Sequence, residues 1–300
     1  MDEVAVAKPD ESRLGPREVQ IWGIWLTASD AALAYYRSTL SLDECHRAER
    51  FSFPKLKRSY TLSRGGLRIL LGHYLGCPPN EIEFIYGPKG KPELRDPSRI
   101  RFNASHSGQI ALYAFTLGCE LGVDVEELRE LDDAESIAVR FFSIGEVSEL
   151  LSLKPEDRGL AFFHCWTRKE AYVKAIGDGL AIPLDRFQVT LLPGAPARFV
   201  QIARDMETAS DWTLHHLAPA PGYVGALAYQ DSQRPTTIHP TVRADKFPEV
   251  LQAQWPASFN HFSNFCICLT TMYPAKASLC EWVGSSALFR RNWRQGNGII

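Results

Sequence analysis

The sequence predicts an α+β fold made of two similar halves related by a pseudo-twofold, with the active site in the cleft between them. Three observations lead there. Short stretches with the two-residue period of strands are interspersed with long stretches of helical spacing. The order of these stretches recurs in the second part of the chain, a faint internal repeat of about 105 residues. The fragments 107–115 (SGQIALYAF) and 221–229 (PGYVGALAY) also look alike.

Residues 1–19 are polar with mixed charge and read as a flexible arm. The first half, 20–118, opens on the apolar run 20–26, a strand buried on both faces. Helical spacing covers 30–40 and 41–50, where Ser41 or Asp43 suits the cap of the second helix. Pro54 punctuates. A long amphipathic helix over 57–75 turns Leu62, Leu67, Leu70 and Leu71 to a core and stops at Gly76. A short strand at 82–86, a Gly/Pro-rich loop at 87–99, and strands at 100–105 and 109–115 complete the half.

The second half, 119–230, repeats that order: strand 121–126, a helical stretch 141–153, helix 159–176, then strands 188–192, 212–217 and 223–229. Residues 231–300 lack clear periodicity and carry Pro235, Pro240 and Pro248, so they read as a poorly structured extension. Composition narrows the class. The 300 residues carry a formal net charge of −2, which gives no broad attraction for nucleic acid or membrane. Residues 1–19 do not read as a secretory signal, and no apolar run approaches the ~20 residues of a membrane span. Cys45, Cys77, Cys119 and Cys165 stand apart, and Cys266, Cys268 and Cys280 lack a second zinc-type pair. Reduced thiols in a cytoplasmic protein are the expectation.

The chemistry concentrates in 121–174. In LGVDVE the carboxylates Asp124 and Glu126 lie two residues apart and leave one face of a strand. In WTRKEAYVK, Glu170 and Lys174 lie one helical turn apart. Packing that helix over that strand would bring together three oxygen donors and one ammonium. Oxygen donors without a nearby histidine suit magnesium better than zinc, and magnesium commonly shares its shell with a substrate phosphate. Lys174 would then meet a phosphate oxygen as a point charge.

The pair GVDVE and W-x-x-KEA-x-x-K resembles the signature of the Sfp-type 4′-phosphopantetheinyl transferases. Three further stretches carry the resemblance: Gly90-Lys91-Pro92, 102–107 (FNASHS), and 177–180 (GDGL) followed by Pro183-Leu184. It covers about residues 20–230, and four motifs in order are far more specific than any alone. The resemblance implies transfer of 4′-phosphopantetheine from coenzyme A to a serine of an apo acyl or peptidyl carrier protein, with magnesium required. It implies Asp124, Glu126 and Glu170 as metal ligands, with Glu170 or a metal-bound water as base. Lys174 would bind phosphate, Lys91 would be a basic residue on the coenzyme A side, Ser105 and His106 would contact the nucleotide's phosphate, and Arg47 would hold the 3′-phosphate.

Two positions depart from the pattern. Glu44 and Tyr60 stand where a lysine and a threonine are usual, and Arg64 or Arg68 would have to compensate. Glu127 reads as a solvated charge on the other strand face, Trp166 as packing, and the pair Phe141-Phe142 as core. The resemblance also implies a monomer with no nucleic-acid or membrane partner. A magnesium-dependent hydrolase or transferase acting on another nucleotide does not explain Gly90-Lys91-Pro92 and the 103–107 stretch (NASHS) together. An inactive coenzyme A or carrier-binding module would be expected to lack one of the carboxylates, and all three are present.

Overall fold

The computed structural model describes residues 13–177, 183–202 and 209–254. Strand β1 (Val19–Trp25) is buried on both faces, as its unbroken apolar run requires. Helix α1 (Asp30–Ser38) starts where the Ser29 side chain accepts the Ala32 N–H. Helix α2 (Leu42–Glu49) starts with a capping box between Ser41 and Glu44. Helix α3 (Pro54–Leu75) begins three residues earlier than expected, because proline at the first helical position starts a helix rather than breaking it. It ends at Gly76 in the left-handed conformation (φ 66°). A 3-10 turn (Pro79–Glu81) leads to a ribbon of β2 (Phe84–Tyr86) and β3 (Pro92–Leu94), the latter inside the expected loop. Then β4 (Ile100–Ser107) and β5 (Ile110–Leu117) form a hairpin.

The order repeats. Strand β6 (Leu121–Glu127) is followed by α4 (Ala134–Phe141), α5 (Ile144–Ser152) and α6 (Pro155–Ile176). The helical stretch expected at 141–153 is α5, which Ser143 caps, and α4 is an additional helix before it. Another 3-10 turn (Leu184–Arg186) precedes the ribbon β7 (Phe187–Val189) and β8 (Phe199–Ile202), then β9 (Thr213–Leu217) and β10 (Tyr223–Tyr229). Strand β5 lies between β1 and β4 as β10 lies between β6 and β9, all antiparallel. Helices α3 and α6 both run 22 residues, open on proline and close on a left-handed glycine.

Each half carries the same buried ionic knot. In the first, Glu44 accepts Arg64 and Arg68, and Arg68 donates to the carbonyls of Pro79 and Ile82. In the second, Glu146 pairs with Lys169 at 2.8 Å, and Lys169 donates to the carbonyls of Leu184 and Phe187. In both cases a capping-box glutamate and a cation of the long helix secure the 3-10 turn that follows that helix. The two sheets share a further core that includes Val19, Ile21, Leu112, Val123, Val125 and Leu227.

The expected boundary at residue 230 does not hold for the described part of the extension. Strands β11 (Thr236–Ile238) and β12 (Val242–Arg243) pair in parallel with the otherwise open edge of β1. Helix α7 (Phe247–Gln254) sets the fully buried Phe247 and Leu251 into the first-half core. The prolines that argued against structure fall where they are tolerated: before β11, between β11 and β12, and in the first turn of α7. The arm is also partly packed, since Leu14 is buried and Arg13 donates to the His73 carbonyl. Residues 1–12, 178–182 and 255–300, with Cys266, Cys268, Cys280 and part of the 177–180 motif, lie outside the described residues. Among the described residues no helix is long and apolar enough to cross a membrane, and the four cysteines are free thiols.

Candidate active site

The site begins with a close approach of helix to strand. A Cβ on Gly122 would lie 2.1 Å from the Ala171 carbonyl oxygen and 2.4 Å from the Ala175 nitrogen, so only glycine lets α6 press this tightly on β6. That contact sets Glu170 and Lys174 against the carboxylate face of β6. Lys174 Nζ lies 2.5 Å from Asp124 Oδ1 and donates to Ser105 Oγ at 2.9 Å. Ser105 in turn donates to Asp124 Oδ1 at 2.8 Å.

The first half reaches the site through one face of its edge strand β4. Asn103 Oδ1 accepts the Val123 N–H at 2.9 Å, Ser105 takes Asp124, and Ser107 Oγ donates to Glu126 Oε2 at 2.6 Å. These three residues are spaced by two and share a strand face. Only Ser105 of the three was expected at the site; the alternation of polar residues in NASHS is the signal that points to the other two. His106, between the serines, is exposed on the opposite side of the strand.

Two oxygens here are buried without a hydrogen-bond partner, Asp124 Oδ2 and Glu170 Oε1. Unsatisfied buried carboxylate oxygens are costly and call for a ligand. Burial, followed by the neighbouring Asp124 charge, pushes Glu170 from an ordinary 4.5 up to about 7. Burial works to lower Lys174, but the charges of Asp124 and Glu170 outweigh it and hold its pKa above the ordinary value. Among the described residues no three His, Cys, Asp or Glu side chains form a ready-made metal cluster, and Lys174 holds one side of Asp124. The donor chemistry nevertheless fits a hard divalent cation: the groups present are oxygens, two of them orphaned, and their mutual repulsion is what a cation relieves.

The remaining expected residues fall further out. Lys91 lies at the end of α6, donating to the Ala175 carbonyl and to Glu120, each at 2.7 Å, with its stem against Gly177. Arg47 is half-buried on α2, its guanidinium 5.5 Å from the centre of the Tyr60 ring. Arg64 and Arg68 both pair with the buried carboxylate of Glu44, and Arg68 is itself buried. Glu127 is not simply solvated, since it accepts the Tyr223 hydroxyl and its own N–H donates to Ser107. Trp166 and Phe142 pack in the second-half core, with Phe141 half-buried against it.

Comparison with known proteins identifies the family. Residues 120–228 match the family model described as the 4′-phosphopantetheinyl transferase superfamily, and residues 25–117 match 4′-phosphopantetheinyl transferase, N-terminal. The chain is 42% identical to the 4′-phosphopantetheinyl transferase HetI of Nostoc sp. (strain PCC 7120), over 74% of this chain and 91% of that protein. It is 30% identical to the 4′-phosphopantetheinyl transferase Sfp of Bacillus subtilis (strain 168), over 58% of this chain and 77% of that protein. The holo-[acyl-carrier-protein] synthase (AcpS) structure of Thermotoga maritima is a remote likeness, with a TM-score of 0.29 and 20% identity over 38% of this chain and 64% of that one. The match to both halves and to nearly the whole of HetI establishes that this chain belongs to the 4′-phosphopantetheinyl transferase superfamily, of Sfp type.

Proposed function

We propose that this chain transfers 4′-phosphopantetheine from coenzyme A to a serine hydroxyl of an apo acyl or peptidyl carrier protein. The observation that carries the reading is the set Asp124, Glu126, Glu170 and Lys174, with two carboxylate oxygens buried and unpartnered, in a chain of this superfamily. The serine oxygen forms a bond to the phosphorus that bears pantetheine. The bond from that phosphorus to the bridging oxygen breaks, and its electron pair leaves with adenosine 3′,5′-bisphosphate. The serine proton passes to a base. Glu170 suits that role by its place beside Lys174 and Asp124.

Asp124, Glu126 and Glu170 are the residues that would hold magnesium. When bound, that ion neutralises charge on the pyrophosphate. Lys174 places a fixed positive charge at a phosphate oxygen, while Lys91, Ser105, His106 and Arg47 supply the remaining coenzyme contacts. The reading includes a cytoplasmic monomer whose macromolecular partner is the carrier.

Mass spectrometry of an apo carrier protein incubated with the chain, coenzyme A and magnesium tests this. The expected result is a carrier heavier by one phosphopantetheine, and none when magnesium is chelated. An unmodified carrier from several classes, alongside tight coenzyme A binding, would assign the chain to binding alone.

A further inference from the structure

We infer that Ser107 is a positioning residue: a hydroxyl of the first half that fixes the rotamer of Glu126 in the second, so that this carboxylate is held ready for the metal. The inference rests on the reading of Glu126 as a ligand. Ser107 is 1% exposed and ends β4 beside the turn at Gly108, whose φ is 53°. Its oxygen makes two bonds with opposite senses. It donates to Glu126 Oε2 at 2.6 Å and accepts the Glu127 N–H at 3.2 Å. Accepting from the backbone N–H leaves the hydroxyl hydrogen to point at the carboxylate, and a hydroxyl has only one hydrogen to give.

The Glu126 side chain is thereby referenced to its own backbone through a side chain of the other half. Tyr223 braces the same turn independently, accepting the Gln109 N–H at 3.0 Å and donating to Glu127 at 3.2 Å. The turn therefore has a second anchor, which bonds Glu127. Outer hydrogen bonds of this kind typically change metal affinity by about 10- to 100-fold when removed.

The test compares Ser107→Ala with Tyr223→Phe, each checked for folding by thermal melting. Mn²⁺ binding is followed by paramagnetic resonance in the presence of coenzyme A and without carrier, and transfer is measured across a magnesium titration. Ser107→Ala should weaken Mn²⁺ binding about 10-fold or more. It should raise the magnesium requirement to match, with turnover at saturating magnesium and KM for coenzyme A nearly unchanged. Ser107→Thr keeps the hydroxyl and should stay closer to the parent. Tyr223→Phe should lower the melting temperature and leave Mn²⁺ affinity alone.

Parent-like Mn²⁺ affinity in Ser107→Ala, or equal weakening in Tyr223→Phe, would overturn the inference and leave Ser107 as a tie between the halves. Asp124→Ala separates that failure from a failure of the metal reading. If it too leaves Mn²⁺ binding unchanged, the ion does not bind at these carboxylates. Should Ser107→Ala not fold, Ser107→Cys, whose thiol is a weak donor, takes its place against Ser107→Thr.

Discussion

The two halves use one scaffold to opposite ends. Counting from the start of each strand, Asp124 and Glu126 are the fourth and sixth residues of β6, and Trp22 and Ile24 hold those positions in β1. Counting along each long helix, Glu170 and Lys174 of α6 correspond to Ile69 and His73 of α3. In the first half these positions are filled by packing. Trp22 is 1% exposed and its indole N–H donates to the Tyr74 hydroxyl at 2.8 Å, while Tyr74 donates to Gln20 at 2.6 Å. Gln20 and Tyr74 stand where the second half has Gly122 and Ala175, the pair that lets helix and strand touch. Large side chains fill one helix–strand seam. Small ones close the other at one end and leave carboxylates at the next. An active site here costs the second half part of its core, and the first half, relieved of chemistry, is packed through.

The strongest way to break this comparison is to truncate both fourth-position side chains. Asp124→Ala should abolish detectable transfer while the protein still folds: it removes the Lys174 ion pair, but Lys174 keeps the charge of Glu170, Glu170 loses a repulsive neighbour, and little packing is lost. Trp22→Ala should cost about 3–5 kcal/mol of stability, the usual range for a buried aromatic. Transfer assays and denaturant melts check the pair. Near-normal transfer by Asp124→Ala at ordinary magnesium would sink the metal assignment, and a marginal loss from Trp22→Ala would sink the account of the first half.

A chain ending at Gln230 tests how far the first half depends on its added cover. Without β11, β12 and α7, an edge of β1 lies open and the Trp22 ring loses His239, stacked at 3.5 Å, and Phe247 at 6.0 Å. Most of the chain should be insoluble on expression. A soluble protein of parent stability would show that these elements only rest on the core.

Much of this architecture was legible because it is periodic. The motifs that place Asp124, Glu126, Glu170 and Lys174 sit on one strand and one helix, where spacing alone decides which face a residue takes. The extension was not legible, since β11 and β12 are strands of three and two residues whose partner lies far away in sequence. The look-alike fragments 107–115 and 221–229 also mislead by one residue. Matched directly they set Tyr113 against Leu227, yet Tyr113 packs in the core of α3 and Leu227 in the core between the sheets. A slip of one residue in a strand exchanges its faces. Likewise no spacing rule shows that Arg64 and Arg68 answer a buried Glu44, because that pairing joins two helices.

The two ionic knots sharpen the comparison at a smaller scale. Lys169→Met leaves Glu146 buried without its cation and should cost about 3–5 kcal/mol. Arg68→Met strands two carbonyls just as Lys169→Met does, but Glu44 keeps Arg64, so the loss should be smaller. Equal losses would show that the carbonyls rather than the counter-ion set the cost.

Glu170→Gln probes the chemical half alone. If Glu170 is the base, turnover should fall at least ~10²-fold and magnesium should not restore it. If it serves only as a ligand, high magnesium should recover much of the rate. The metal-free stability gives an independent readout. Glu170 titrates at about 7 when folded against an ordinary 4.5, so the folded state holds that proton more tightly. Its contribution to stability is present below the ordinary value and is lost as pH rises through about 7. Between about pH 5 and about pH 8 the Gln variant should therefore gain on the parent in thermal melts without metal. A constant difference across that range would show that Glu170 is charged throughout.

The smallest expected effect belongs to the first half's part in binding. Arg47 lies half-buried on α2, against Tyr60, while Arg64 and Arg68 hold Glu44. Of these three arginines it is the one whose guanidinium is not committed to that carboxylate. If it meets the 3′-phosphate of coenzyme A, Arg47→Ala should raise KM for coenzyme A by up to about 10-fold, the worth of one charge-assisted hydrogen bond at a partly exposed site. Turnover should hardly change, because the contact is made equally before and during the reaction. Dephospho-coenzyme A lacks that phosphate and should feel the substitution less. Equal sensitivity of both substrates would remove Arg47 from the 3′-phosphate site, and it would then serve only to cover the Tyr60 ring.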